Sequence, residues 1–205
     1  MVHKKLPKSL VQRLRKFFDV PEKNRNNRGG FFNSLTNIDH RHYPGLRADY
    51  GYRIRSLNVS RNYPKIKDVV VKRLHDHSNS SKKFSNHLNY FKKLVKNINN
   101  SERANEFVFL NPIAYKVGGD FVAMAKADHP SLFEIMAAEP NRFDEKPTKR
   151  GKKAYDQLKK ANKLDLVFSH ASYFLIDFRM VEANILFLGF SKQGKPVYVP
   201  LFDMF

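Results

Sequence analysis

The chain has no cysteine, which excludes disulfides, thiolate metal sites and cysteine nucleophiles. No apolar run approaches the about 18 residues that a membrane-spanning helix requires, so no membrane-spanning segment is expected. Neither a Gly-x-x-x-x-Gly-Lys-Ser/Thr loop nor a Gly-x-Gly-x-x-Gly turn occurs, so the common nucleotide folds are disfavoured and no cofactor is expected. Helix-turn-helix, zinc-finger, basic-zipper and RRM signatures are also missing, as are internal repeats and low-complexity tracts. Carboxylates are scarce, with 19 Asp and Glu in 205 residues.

What the chain does have is aromatic and cationic. Hydrophobic residues make up 41%, with 18 Phe and 9 Tyr, so an aromatic-rich core is available and simple disorder is disfavoured. The length fits one domain, or one domain with a small appendage. Lys and Arg number 38, for a net charge of +19. Residues 1–100 carry 23 basic and 6 acidic residues, a net of +17, whereas residues 101–205 carry 15 and 13, a net of +2. A self-repelling half destabilises the compact state unless a polyanion offsets it. Nucleic acid is the commonest polyanion for such a face.

The first helix is legible from Leu10, Leu14, Phe17 and Phe18 at helical spacing, with Pro7 and Ser9 at its start and Pro21 as its stop. It carries no acid, as an organellar presequence or a membrane-surface helix would. It lacks the serine richness of a presequence, so a packed helix facing phosphate is the preferred reading. Residues 22–63 read as mostly irregular, except that Tyr52-Arg53-Ile54-Arg55 alternates like a short strand. A helix is expected over Ile66–Leu74, with a strand as the alternative because of Val69-Val70-Val71. A second helix follows from Phe84, Leu88, Phe91, Leu94, Val95 and Ile98, capped by Ser80 or Ser81. Asn97–Arg103 reads as the linker and domain boundary.

Beyond it, Phe107–Leu110 and Phe121–Ala125 read as strands, with Gly118-Gly119 between them as the turn of a hairpin. Ser131 and Glu134 form a capping box for a helix ending near Ala138. Residues 150–163 read as a helix with Ala154, Leu158 and Ala161 inward. Leu166–Phe178, Asn184–Phe190 and Val197–Phe202 read as strands, the last two joined in a hairpin at Ser191–Pro196. The expected fold class is α+β. A basic, mainly helical nucleic-acid-binding region spans 1–100, and an α+β scaffold domain with an antiparallel or mixed β-sheet and two helices spans 101–205.

The candidate binding residues follow from phosphate and base chemistry. Guanidinium groups pair with phosphates and stack on bases, and aromatic rings offer platforms for unpaired bases. Arg25, Arg28, Arg41, Arg47, Arg53, Arg55 and Arg61 are interleaved with Tyr50, Tyr52 and other aromatics. Arg13 on the first helix and Lys92, Lys93 and Lys96 on the second extend the set. RNA is favoured over DNA because this interleaving suits irregular or single-stranded segments. A second basic cluster, Lys146, Lys149, Arg150, Lys152 and Lys153, lies at the start of the 150–163 helix.

Catalytic candidates are fewer. His40-x-His42 and His75-x-His77 have paired imidazoles, but that spacing alone does not define a metal centre, and none is expected. The pentads His129-Pro-Ser-Leu-Phe133 and His170-Ala-Ser-Tyr-Phe174 resemble the paired motifs of two-histidine phosphoesterases. That resemblance implies two imidazoles flanking a phosphodiester, the second in a strand. His170, Arg179 and Glu182 supply the base, cation and acid that a metal-independent ribonuclease needs. The order of helices followed by an antiparallel meander is similar to that of small ribonuclease toxins. The leading expectation is an RNA-binding component of a ribonucleoprotein, located in the cytoplasm or an organelle matrix, since no secretory signal is seen. The alternatives are a toxin-type or phage-type ribonuclease and a genome-packaging protein.

Overall fold

The computed structural model describes residues 5–18, 35–37, 54–58, 62–63, 66, 68–73, 80–118, 121–125, 129–140, 142 and 146–200. Helix α1, Lys8–Phe18, buries Leu10, Val11, Leu14 and Phe18, which recur about once per turn on one side. That stripe lies on an antiparallel sheet of strand order β1-β2-β3-β6-β5. Its strands are β1 Leu35–Asn37, β2 Ile54–Asn58, β3 Asp68–Arg73, β5 Tyr115–Gly118 and β6 Phe121–Ala125. Val69, Val71, Val117, Ala123 and Ala125 share a core with the apolar residues of α1.

The strand alternative over Val69-Val70-Val71 prevails over the helix expected at Ile66–Leu74. Three β-branched residues in a row favour extended backbone, and β3 pairs on both edges, with β2 and β6. The run is apolar without alternation because both faces of the sheet are covered. On the face away from α1, Val122 packs against Phe91 of helix α2, Ser80–Asn99. The described residues of 1–100 therefore hold three strands beside the longer helices α1 and α2, and the five-stranded sheet draws on both sides of residue 100.

Helix α2 reaches a second core through Val95 and Ile98. There β4, Val108–Phe109, runs parallel to β8, Pro196–Pro200, which pairs antiparallel with β7, Ile185–Phe190. The β7–β8 hairpin matches its sequence reading. Gly194, at φ +75°, turns it in a conformation that side-chain-bearing residues disfavour. The hairpin expected between Phe107–Leu110 and Phe121–Ala125 does not form. The hairpin partner of β6 is β5, with β3 on its other edge, whereas Phe107 and Phe109 enter the aromatic core beside Phe174 and Tyr198.

Three helices close this core: α3 Leu132–Met136, α4 Lys149–Lys160 and α5 Leu164–Phe178. The capping box is present: the Ser131 hydroxyl accepts from the Glu134 amide, and the Glu134 carboxylate accepts from the Ser131 amide. Glu134 is buried and takes two further donors, the Thr148 hydroxyl at 2.8 Å and Arg150 Nε at 2.8 Å. One carboxylate thus fastens α3 to the start of α4. Ala154 and Leu158 face inward as expected, but Ala161 is exposed beyond the helix end.

Leu166–Phe178 lies in α5 and is not a strand. Val167, His170, Ala171 and Phe174 are buried at i, i+3, i+4 and i+7, a helical stripe. Leu164, Phe168, Tyr173 and Phe178 pack at its margins, so the sequence looks apolar almost all round. Fifteen residues without an internal turn residue are long for a strand and ordinary for a helix. Arg179 ends α5 in the left-handed conformation at φ 53°, and its N–H donates to the Phe174 carbonyl.

Candidate nucleic-acid interface

Helix α2 has no carboxylate anywhere in its 20 residues. Its apolar stripe, Phe91, Val95 and Ile98, is committed to the two cores. Asn89, Tyr90, Lys92, Lys93, Lys96 and Asn97 are therefore left in solvent. Lys92 and Lys96 are one turn apart, a rise of about 6 Å along the axis. The ion pairs formed among the described residues use other cations, namely Arg103, Arg142, Arg150, Lys152 and His170. The three α2 lysines face water. Lys96 also lies in the last turn, where the helix dipole favours a cation.

On α1, Lys8, Arg13, Arg15 and Lys16 are exposed opposite the buried stripe. Arg15 Nε donates to the Lys116 carbonyl at 3.1 Å, which ties the helix to β5. Arg55 lies in β2 opposite Val71 of β3. Arg25, Arg28, Arg41, Arg47, Tyr50, Tyr52, Arg53 and Arg61 lie outside the described residues, as do His40, His42, His75 and His77. Among the described residues no group of three or more His, Asp or Glu is placed to hold a metal ion.

The second basic cluster divides by role. Arg150 points inward to Glu134, half-buried in structural work. Lys149, Lys152, Lys153 and Lys160 line a shallow concavity of about 490 Å³ with Asp156 and Gln157. Lys152 lies 3.8 Å from Asp156. The cationic face of α4 is therefore partly neutralised, unlike that of α2.

The catalytic candidates are not brought together. His170 is fully buried in α5. Its Nε2 lies 3.1 Å from Glu106 Oε2 and its Nδ1 lies 3.0 Å from the Tyr198 hydroxyl. Arg179 is exposed nine residues on, about half a helical circumference away, and Glu182 begins a separate short 3-10 turn, Glu182–Asn184. The structure replaces the expected partners of His170 with Glu106 and Tyr198. The strand that the two-histidine resemblance implied for His170 is likewise a helix, and His129 precedes the cap of α3.

The network around His170 is self-consistent. Arg103 holds Glu106 with Nε and Nη2 at 2.9 and 2.6 Å. That hydrogen bonding lowers the Glu106 carboxyl to about 2, with smaller help from His170 and against a desolvation effect. Burial pushes the His170 imidazolium toward deprotonation, partly countered by Glu106. With Glu106 ionised and His170 neutral, the Nε2–H donates to the carboxylate and Nδ1 accepts from Tyr198. Burial also raises the Tyr198 hydroxyl well above its ordinary range, which keeps it a donor. Every polar atom is satisfied within the protein, so the chain Tyr198–His170–Glu106–Arg103 is a structural lock. The i, i+3 spacing of Arg103 and Glu106 was visible in sequence. Their link to His170, 64 residues from Glu106, was not.

Comparisons with protein-family models, curated proteins and solved structures find no match for this chain.

Proposed function

We propose that this protein binds RNA through its basic N-terminal half, as a component of a ribonucleoprotein. The observation that carries this reading is the placement of charge. Residues 1–100 hold a net +17 against +2 for the remainder. Within that half α2 turns Lys92, Lys93 and Lys96 outward with no carboxylate on the helix. Unneutralised cations on a rigid helix are suited to phosphates, whose condensed counterions are released on binding. The remaining arginines and tyrosines of the 25–61 segment extend the same chemistry. A rigid scaffold that pins α2 through two cores supports a positioning role.

A ribonuclease centred on His170, Arg179 and Glu182 gains no support from this geometry, because His170 has no exposed ring nitrogen and the other two lie elsewhere. The test is a salt titration of RNA affinity. Contact with six to ten phosphates should weaken binding by roughly 10³–10⁵ between 50 and 200 mM salt. A flat salt dependence, or no RNA binding at low salt, removes the proposal.

A further inference from the structure

Tyr90 is the most exposed aromatic side chain among the described residues, at 52%. It lies on α2 in the row Asn86, Tyr90, Lys93 and Asn97, spaced i, i+4, i+7 and i+11, one face of a helix. Lys96 lies one turn beyond Lys93 on one side of that row, and Lys92 lies farther round the helix on the same side, about 160° from Tyr90. The Tyr90 ring meets the buried Phe91 ring edge-on, at 5.8 Å and 74°, so it is braced from below. We infer that this face of α2 holds a single-stranded stretch of RNA, with Tyr90 stacking on one unpaired base and Lys93, with Lys96 beside it, on the adjoining phosphates. The inference rests on the RNA-binding function proposed above and specifies its mode.

The surroundings of the ring select this occupant. A protein interface needs an apolar centre, and a membrane-surface helix needs a row of apolar side chains. Tyr90 has neither, because its exposed neighbours on the helix are lysine and asparagine. An isolated ring with a lysine one turn on and an asparagine one turn back matches a partner that is flat and apolar at one point and anionic beside it. An unpaired nucleotide has that form, and every base presents a π-face. Bases within a duplex are already stacked and cannot reach the ring. A braced ring loses little freedom on binding. The asparagine amides can hydrogen-bond to sugar or phosphate oxygens.

The full-length protein is titrated by fluorescence anisotropy with labelled oligouridine and with a duplex RNA of equal length. Tyr90→Ala should weaken oligouridine binding about tenfold, leave duplex binding within about twofold, and leave the salt slope unchanged. Tyr90→Phe should retain wild-type affinity. Ultraviolet crosslinking should place uridine on the peptide that contains Tyr90. If the alanine variant binds oligouridine like the wild type, or loses both RNAs equally, the stacking role is overturned while RNA binding stands. If the wild type binds neither RNA, the proposed function fails and the inference fails with it.

Discussion

His170 and Tyr198 lie 28 residues apart in sequence and hydrogen-bond at 3.0 Å with neither side chain reaching solvent. The bond joins the middle of α5 to the central strand of the three-stranded sheet. Phe107 stacks edge-on against the imidazole at 5.1 Å, and Glu106 holds the opposite nitrogen. A histidine so enclosed is a core residue whose polarity is fully met.

Tyr198→Phe removes the donor and leaves His170 Nδ1 buried without a partner. The expected destabilisation is about 1–3 kcal/mol, read as a lower urea midpoint at unchanged slope. RNA affinity at saturating fold should not change. A variant as stable as the parent would show that the hydrogen bond contributes nothing net.

Acid should loosen the same lock. The unfolded chain binds a proton at His170 below its ordinary value of 6.5, whereas the native imidazole resists it. Its contribution is therefore complete above pH 6.5 and falls as the pH drops below that value. Glu106 acts in the same direction, losing its contribution between its ordinary 4.5 and about 2. Tyr198 acts at the other end, where the unfolded chain ionises above pH 10 and the native one does not. Thermal midpoints should thus form a plateau between about 6.5 and 10 and decline on both sides. A midpoint that holds steady from pH 7 to pH 5 would refute the burial of a neutral His170.

Gly151 packs where a Cβ would collide with the backbone carbonyl of Glu134. Alanine in a helix interior ordinarily stabilises by about 1 kcal/mol relative to glycine. Here Gly151→Ala should destabilise by about 1–3 kcal/mol, because α4 must move away from α3. Glu134→Ala should be worse, at about 3 kcal/mol, since Arg150, the Thr148 hydroxyl and the Ser131 amide all lose their acceptor. Chemical denaturation of both variants gives the ranking.

Replacing Lys92, Lys93 and Lys96 with glutamine should reduce the slope of log affinity against log salt by about two for a single-stranded RNA. Stability should stay within about 0.5 kcal/mol of the parent, because all three are solvent-exposed. An unchanged slope would place the phosphate contacts on other residues.

RNA incubated with the pure protein in EDTA should remain full length on a denaturing gel. Discrete fragments that disappear in His170→Ala would restore the nuclease reading.

The amphipathic stripes of α1 and α2, the Ser131–Glu134 capping box and the β7–β8 hairpin were legible in the sequence, because each is set by contacts only a few residues apart. The strand at 68–73 was legible only as the alternative to a helix, and the segment at 166–178 was read as a strand where a helix forms, because burial on more than one side erases the alternation that separates strand from helix. Val70 and Val71 face different layers, and α5 is packed at its margins as well as along its stripe. The lock on His170 was invisible, since Arg103, Glu106 and Tyr198 meet it only after the chain has folded.

The sequence alone determined the distribution of charge, and with it the proposal of a polyanionic partner. Net charge is a sum over residues that no packing arrangement alters. Only the tertiary structure decided which charges are free to act. It turned Arg150 inward to a buried carboxylate, tied Arg103 to Glu106, and left Lys92, Lys93 and Lys96 facing water. Free and spent cations are the same residue types in a sequence. They differ only in whether folding brings an acid within reach.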